Sequence, residues 1–165
     1  MIQKKVCLVG VFATGKTSLV RRFVYSKFSE KYHSTVGVKI DRKTVDIGGV
    51  GVSLLLWDLE GQDKFQSVQA SYLRGSSGII FVADGTRRET LTELNDLQTQ
   101  VEETAGAVPS VVAVNKADLE DQWMISKGDL VALSDDRRHV LTTSAKSGGG
   151  VDEAFIWLAE QMLRV

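Results

Sequence analysis

The sequence predicts an α/β fold: an open, mostly parallel six-stranded sheet with one antiparallel strand, covered by helices. Three observations predict it. Apolar runs alternate with segments of helical periodicity along the chain. Two of those runs, Gly78 to Ala83 and Ser110 to Val114, are nearly continuous in apolar residues, as strands buried on both faces tend to be. One pair of strand-like stretches is separated by Gly48-Gly49, a pair suited to a tight hairpin because both residues tolerate positive φ.

In order, Val6-Cys7-Leu8-Val9 reads as a short strand ending at Gly10, followed by a glycine-containing loop. Leu19, Val20, Phe23 and Val24 then recur at helical spacing. Val38 to Ile47 and Val50 to Trp57 form the antiparallel hairpin. Between the two apolar runs, Leu91, Leu94, Leu97 and Val101 mark one face of a helix that closes near Gly106 and Pro109. A last helix begins near Val151 and carries Val151, Phe155, Leu158 and Met162 on one stripe. The order is β-α-β-β-α-β-α-β-α-β-α, which places ligands where strand carboxyl ends meet helix amino ends.

A length of 165 residues suits one domain spanning 1–165. No repeat, linker or low-complexity tract interrupts it. The 20 basic and 21 acidic residues balance to a net charge of -1, which gives no support to nucleic-acid or anionic-membrane binding, both of which rest on clustered positive charge. The one cysteine, Cys7, makes no internal disulfide, and a buried apolar role suits it. No apolar run is long enough to span a bilayer, and the start resembles neither a signal peptide nor a myristoylation site. A cytoplasmic, monomeric protein is the expectation.

The sharpest motif is Gly10-Val11-Phe12-Ala13-Thr14-Gly15-Lys16-Thr17, a full match to G-x-x-x-x-G-K-[ST] between a predicted strand and a predicted helix. Successive backbone N–H groups in such a loop surround phosphates, and the helix dipole favours their charge. Lys16 reaches the β and γ oxygens, and the Thr17 hydroxyl can ligate Mg²⁺. Asn115-Lys116-Ala117-Asp118 follows a buried strand directly. An Asp carboxylate facing guanine accepts from its ring N–H and its exocyclic amine, a donor pair that adenine lacks; a mispaired base leaves the carboxylate unsatisfied.

With these residues the chain resembles the Ras superfamily of small GTPases over essentially its whole length. Gly10 to Thr17 looks like the family's first motif, and Thr35 in Ser34-Thr35-Val36-Gly37-Val38 like its switch I threonine. Asp58-Leu59-Glu60-Gly61-Gln62 is similar to D-x-x-G-Q, Asn115 to Asp118 to N-K-x-D, and Ser144-Ala145-Lys146 to the S-A-K loop. Trp57 before Asp58 and the Tyr72-Leu73-Arg74-Gly75 segment look most like the Rab branch, with bacterial Rab-like proteins and Roc GTPase domains close to it.

The resemblance implies a P-loop NTPase fold with helices on both sheet faces, GDP or GTP as ligand, and Mg²⁺ as cofactor. It implies that Thr17, Thr35 and Asp58 serve the metal, the last mainly through a coordinated water. Phe12, Ala13, Thr14, Gly15, Lys16, Thr17 and Ser18 would surround the phosphates, with Gly61 donating its N–H to the γ-phosphate. Gln62 would orient the attacking water, in a catalytic set with Lys16 and Gly61. Asp118 would read guanine, Asn115 would brace the loops, the Lys116 stem would cover the base, and Phe28 would lie across it. Ala145, between Ser144 and Lys146, would offer its N–H to the guanine oxygen. Segments near Glu30 to Lys39 and Glu60 to Leu73 would order on GTP and meet effectors, exchange factors and GTPase-activating proteins.

Three departures from the family bear on rate and anchoring. Phe12 stands where Ras has glycine, and Glu60 where a small residue is usual; both bear on hydrolysis more than on binding. The sequence ends at Arg164-Val165 with no prenylation cysteine. Alternatives to a slow GTP hydrolase are a GTP-binding scaffold with negligible turnover and a P-loop kinase or ATPase, the latter disfavoured by Asp118. His33 and His139 lack metal-ligand spacing, Phe155, Trp157 and Met162 suit the core, and Asp135-Asp136-Arg137-Arg138 suits a solvated turn.

Overall fold

Side chains that alternate along each central strand divide the interior into two apolar layers, one on each face of a single sheet. The computed structural model describes residues 1–31, 35, 37–59, 61 and 70–164. The strands are β1 (Ile2–Val9), β2 (Val38–Ile47), β3 (Val50–Leu59), β4 (Gly78–Asp84), β5 (Ser110–Asn115) and β6 (Arg138–Thr142). The helices are α1 (Lys16–Tyr25), α2 (Ala70–Leu73), α3 (Glu89–Ala105), α4 (Lys127–Leu133) and α5 (Val151–Arg164), with a 3-10 turn over Glu120–Gln122. The sheet order is β2-β3-β1-β4-β5-β6. Among the strands of the described residues only β2 and β3 pair antiparallel; the remaining pairs are parallel. The predicted six-strand arrangement is therefore the one found.

Val6 and Leu8 of β1, Leu54 and Leu56 of β3, and Ile80 and Val82 of β4 face one layer. There α1 contributes Leu19, Val20 and Phe23, and α5 contributes Phe155, Leu158 and Met162. Phe23 and Phe155 stack with ring centroids 4.1 Å apart. The intervening residues Cys7, Val9, Ile79, Phe81 and Ala83 face the other layer, against Leu73 of α2 and Leu91, Leu94, Leu97 and Val101 of α3. Removing a fully buried ring such as Phe155 would cost about 3–5 kcal/mol.

The hairpin turn has the predicted chemistry: Gly48 and Gly49 sit at φ 58° and 88°, and the Asp46 carboxylate accepts from the Gly49 N–H at 2.9 Å. The strands outrun their apolar segments. β1 begins at Ile2 because Ile2 to Lys5 keep pairing with Val52 to Leu55 of β3 after their side chains reach solvent. β4 and β5 continue to the paired polar residues Asp84 and Asn115, both buried. Those polar ends lie beside the loop after β1, the strand from which the sheet order runs both ways.

Candidate functional site

The loop between β1 and α1 is held by close backbone approaches. A side-chain carbon at Gly10 would strike the Val82 carbonyl of β4, and one at Gly15, at φ 98°, would strike the Asn115 amide. Thr14 is fully buried and its hydroxyl donates to the Val11 carbonyl at 3.1 Å. Lys16 opens α1 and folds back over the loop, donating to the Gly10 and Val11 carbonyls at 3.1 and 3.3 Å. Burial lowers its ammonium to about 8, against the pull of the Asp58 carboxylate. A charged amine held dry beside carbonyls alone is a strong seat for an anion.

Thr17, the next residue of α1, meets the end of β3. Its hydroxyl donates to Asp58 Oδ2 at 2.6 Å and lies 2.7 Å from the Thr35 hydroxyl, which reaches the same carboxylate oxygen at 3.3 Å. The other oxygen, Asp58 Oδ1, is buried without a hydrogen-bond partner among the described residues. Burial pushes the Asp58 carboxyl up, opposed by hydrogen bonds from Thr17 and Thr35 and by the charge of Lys16. Two hydroxyls and an under-satisfied carboxylate fit a hard dication that prefers oxygen ligands. Among the described residues no three His, Cys, Asp or Glu side chains cluster for a metal, so waters and ligand oxygens would complete such a shell.

The far end is built by the loops after β5 and β6. Asn115 spends its whole amide on bracing: Nδ2 donates to the Thr14 carbonyl at 3.0 Å, and Oδ1 accepts from the Thr143 hydroxyl at 3.1 Å. Lys116, at φ 73°, donates to the Ala13 carbonyl at 3.0 Å and pairs with Asp84 at 2.8 Å. Asp118 accepts from the Ser144 hydroxyl at 2.8 Å. Arg22 of α1 donates from Nε to the Ala145 carbonyl at 2.7 Å and from Nη2 to the Lys146 carbonyl. Lys146 pairs with Glu30 at 2.9 Å, and that carboxylate raises its pKa.

One cleft joins these parts. It is lined by Phe12, Ala13, Gly15, Lys16, Thr17 and Ser18 from the first loop and helix, and by Phe28, Thr35, Asp58 and Gly61. Asn115, Lys116, Asp118, Ala145 and Lys146 line its other end. Of the predicted site residues, Thr14 and Ser144 stand behind the lining, Thr14 as a buried brace and Ser144 as the partner of Asp118. Gln62, Glu60 and His33 lie outside the described residues. Phe28 lines the cleft while also packing on the α1–α5 layer. Phe12 is 52% exposed at the rim, with its backbone directly against Gly61.

A family model described as Ras family matches residues 5–164. The chain belongs to the Ras family. As a member of these small GTPases it is a guanine-nucleotide switch and a GTP hydrolase. It is 36% identical over 163 residues to the dog Ras-related protein Rab-13, covering 96% of this chain and 79% of that one. It is 33% identical over 162 residues to human Ras-related protein Rab-8B, covering 96% and 78%. Ras-related protein Rab-4 of Dictyostelium discoideum is 34% identical over 154 residues, covering 92% and 75%.

For a Ras-family chain, sequence reading missed the residues that hold the cleft from behind, namely Arg22, Asp84, Arg87 and Thr143. Each looks like an ordinary helix or turn residue in sequence, and these contacts span up to 124 positions. Ser29, Glu30, Lys31, Leu59 and Leu119 also line the cleft without belonging to the motifs singled out. Cys7 is buried, as read, beside the Ser76 hydroxyl at 3.2 Å, and burial pushes its thiol up. One expectation is corrected: Arg138 is not part of a solvated turn. It begins β6 with a side chain only 16% exposed, paired with Glu102 at 3.0 Å and Asp135 at 3.4 Å, because edge-strand pairing with Ser110 draws it inward.

Proposed function

We propose that this chain, as one G domain, is a Rab-like switch that holds GDP or GTP with Mg²⁺ and hydrolyses GTP slowly. The observation carrying this reading is the convergence of Thr17, Thr35 and Asp58, with a buried carboxylate oxygen left unpartnered. Thr17, Thr35 and Asp58 would hold Mg²⁺, which would supply positive charge to offset that of the bound phosphates. Thr17, in α1, serves either nucleotide, whereas Thr35 lies in a segment that the γ-phosphate orders.

Lys16 exchanges the Gly10 and Val11 carbonyls for phosphate oxygens, and its charge is restored by them. Gly61 offers its N–H to the γ-phosphate, and Gln62, by family resemblance, orients the water for in-line attack. As the water oxygen bonds to the γ-phosphorus, the bond to the β–γ bridging oxygen breaks, giving GDP and inorganic phosphate, with the water's proton passing to a phosphate oxygen or to solvent. Asp118 accepts from the guanine N–H groups, Ala145 donates to its oxygen, Phe28 lies across the base, and the Lys116 stem covers it. Segments 30–39 and 60–73 present the surfaces for effectors, exchange factors and GTPase-activating proteins.

The protein acts in the cytoplasm as a monomer. No helix among the described residues is long and apolar enough to cross a membrane. A second reading, a GTP-binding scaffold with negligible turnover, draws on Phe12, a bulky residue 52% exposed at the cleft whose backbone lies against Gly61. Single-turnover hydrolysis of bound GTP, with Mg²⁺ and with chelator, separates the two. Slow Mg²⁺-dependent conversion to GDP supports the switch, and unchanged GTP supports the scaffold.

A further inference from the structure

Asp84 closes β4 as a buried carboxylate with no part in the motif roles above. Its Oδ1 accepts from the Thr86 N–H and hydroxyl at 2.8 and 2.6 Å, fixing the turn into α3. Its Oδ2 receives two cations, Lys116 Nζ at 2.8 Å and Arg87 Nε at 3.0 Å. Each cation then reaches one of two successive carbonyls of the phosphate loop. Arg87 Nη2 donates to Phe12 O at 2.8 Å, and Lys116 Nζ donates to Ala13 O at 3.0 Å.

In a trans peptide the C=O and N–H of one unit point in opposite directions. Turning the Phe12 carbonyl toward Arg87 therefore aims the Ala13 N–H the other way, and turning the Ala13 carbonyl toward Lys116 does the same for the Thr14 N–H. Ala13 lines the cleft at φ 62°, a left-handed conformation that a non-glycine residue holds only when its surroundings fix it. Anion-binding loops depend on such successive N–H groups converging.

We propose that Asp84 and Arg87 are positioning residues that set the phosphate-binding N–H groups of Ala13 and Thr14 through the carbonyls behind them. Lys116 is the second arm of the same clamp. The proposal rests on the cleft being a guanine-nucleotide site, and it adds to that reading a salt-bridge hub that determines how tightly the β-phosphate is held. Removing Arg87 releases the Phe12–Ala13 peptide, whereas the Asp118 end of the cleft keeps its own braces.

The test is GDP release and ³¹P NMR of the GDP-bound protein, for the parent, Arg87→Ala, Arg87→Lys and Asp84→Asn. Arg87→Ala should speed GDP release roughly 10-fold, comparable to losing one charge-assisted hydrogen bond. It should also move the β-phosphorus resonance more than the α. The ratio of GDP to IDP affinity should stay constant, because IDP lacks only the amine read by Asp118. Arg87→Lys should recover part of the release rate, and Asp84→Asn should match or exceed Arg87→Ala. A lowered melting temperature with unchanged release and unchanged β-phosphorus shift would assign Arg87 to the α3 turn alone and overturn the proposal. A parent protein that binds no GDP overturns the nucleotide reading and the proposal together; one that binds GDP while Arg87→Ala behaves like it overturns the proposal alone.

Discussion

Thr17 and Thr35 are 18 residues apart in the chain, yet their hydroxyl oxygens lie 2.7 Å from each other and share Asp58 Oδ2. Thr17 belongs to α1, whereas Thr35 lies outside any helix or strand, so the contact joins a helix to a residue distant in sequence. Thr17→Ala should weaken Mg²⁺-supported binding of GDP and GTP alike, by roughly 10-fold or more. Thr35→Ala should spare GDP and reduce GTP-specific binding of partners. Mg²⁺ titrations of nucleotide release check the first, and partner binding in the two nucleotide states checks the second.

Asp118 is positioned by the Ser144 hydroxyl at 2.8 Å, at the end of the cleft away from Lys16. Asp118→Asn should shift preference from guanine to xanthine, since an amide donates where xanthine carries a second carbonyl. The change in the GDP to XDP affinity ratio should be roughly 10²-fold or larger. Competition with labelled GDP and XDP measures it, and an unmoved ratio removes Asp118 from base reading.

Phe12 and Gly61 are packed so closely that a side-chain carbon at Gly61 would stand 2.8 Å from the Phe12 Cα. Phe12 is 52% exposed at this rim, and a phenylalanine here is expected to crowd the approach that an activating protein's arginine would use. Such an arginine contributes roughly 10³–10⁵-fold, and a displacement of about 1 Å can forfeit roughly 10²-fold. Phe12→Gly should raise the activator-stimulated rate while leaving GDP affinity nearly unchanged. Single-turnover rates of the parent, Phe12→Gly and Gln62→Leu check this; a fast parent unaltered by Phe12→Gly points to Glu60 instead.

A pH-dependent feature lies at the start of α4. Ser126 and Asp129 form a reciprocal capping box, and Arg88 grips the Asp129 carboxylate with bonds of 2.7 and 2.9 Å. The Arg88 bond, with help from Ser126, holds the Asp129 carboxyl at about 2. A carboxyl lowered on folding contributes stability above its unfolded value near 4, and that contribution is lost as pH falls through about 2. NMR titration should find the Asp129 midpoint near 2 in the parent and shifted up toward the ordinary range in Arg88→Ala. An unmoved midpoint would contradict the assignment.

The order of elements along the chain, the antiparallel pair and the motif loops were legible because their signals are local. The run Val6 to Val9, the Gly48-Gly49 turn and the Gly10 to Thr17 loop each carry their signal within a few residues. Strand ends were not legible, since β1 from Ile2 and β4 to Asp84 are extended by ladder pairing that their side chains do not announce. Arg138 was misread for the same reason. The clamp of Arg22 on Ala145 and of Arg87 on Phe12 joins residues 123 and 75 positions apart, and one arginine in a sequence gives no sign of its partner.

The central claim is that this cleft is selective for guanine nucleotides and that Mg²⁺ strengthens their hold. Displacement of fluorescent GDP from the purified protein, by GTP and by ATP in the presence and absence of Mg²⁺, tests it most directly. Displacement by GTP, no displacement by a large excess of ATP, and faster loss of label when Mg²⁺ is chelated are expected. Equal displacement by ATP and GTP, or release indifferent to Mg²⁺, would contradict it.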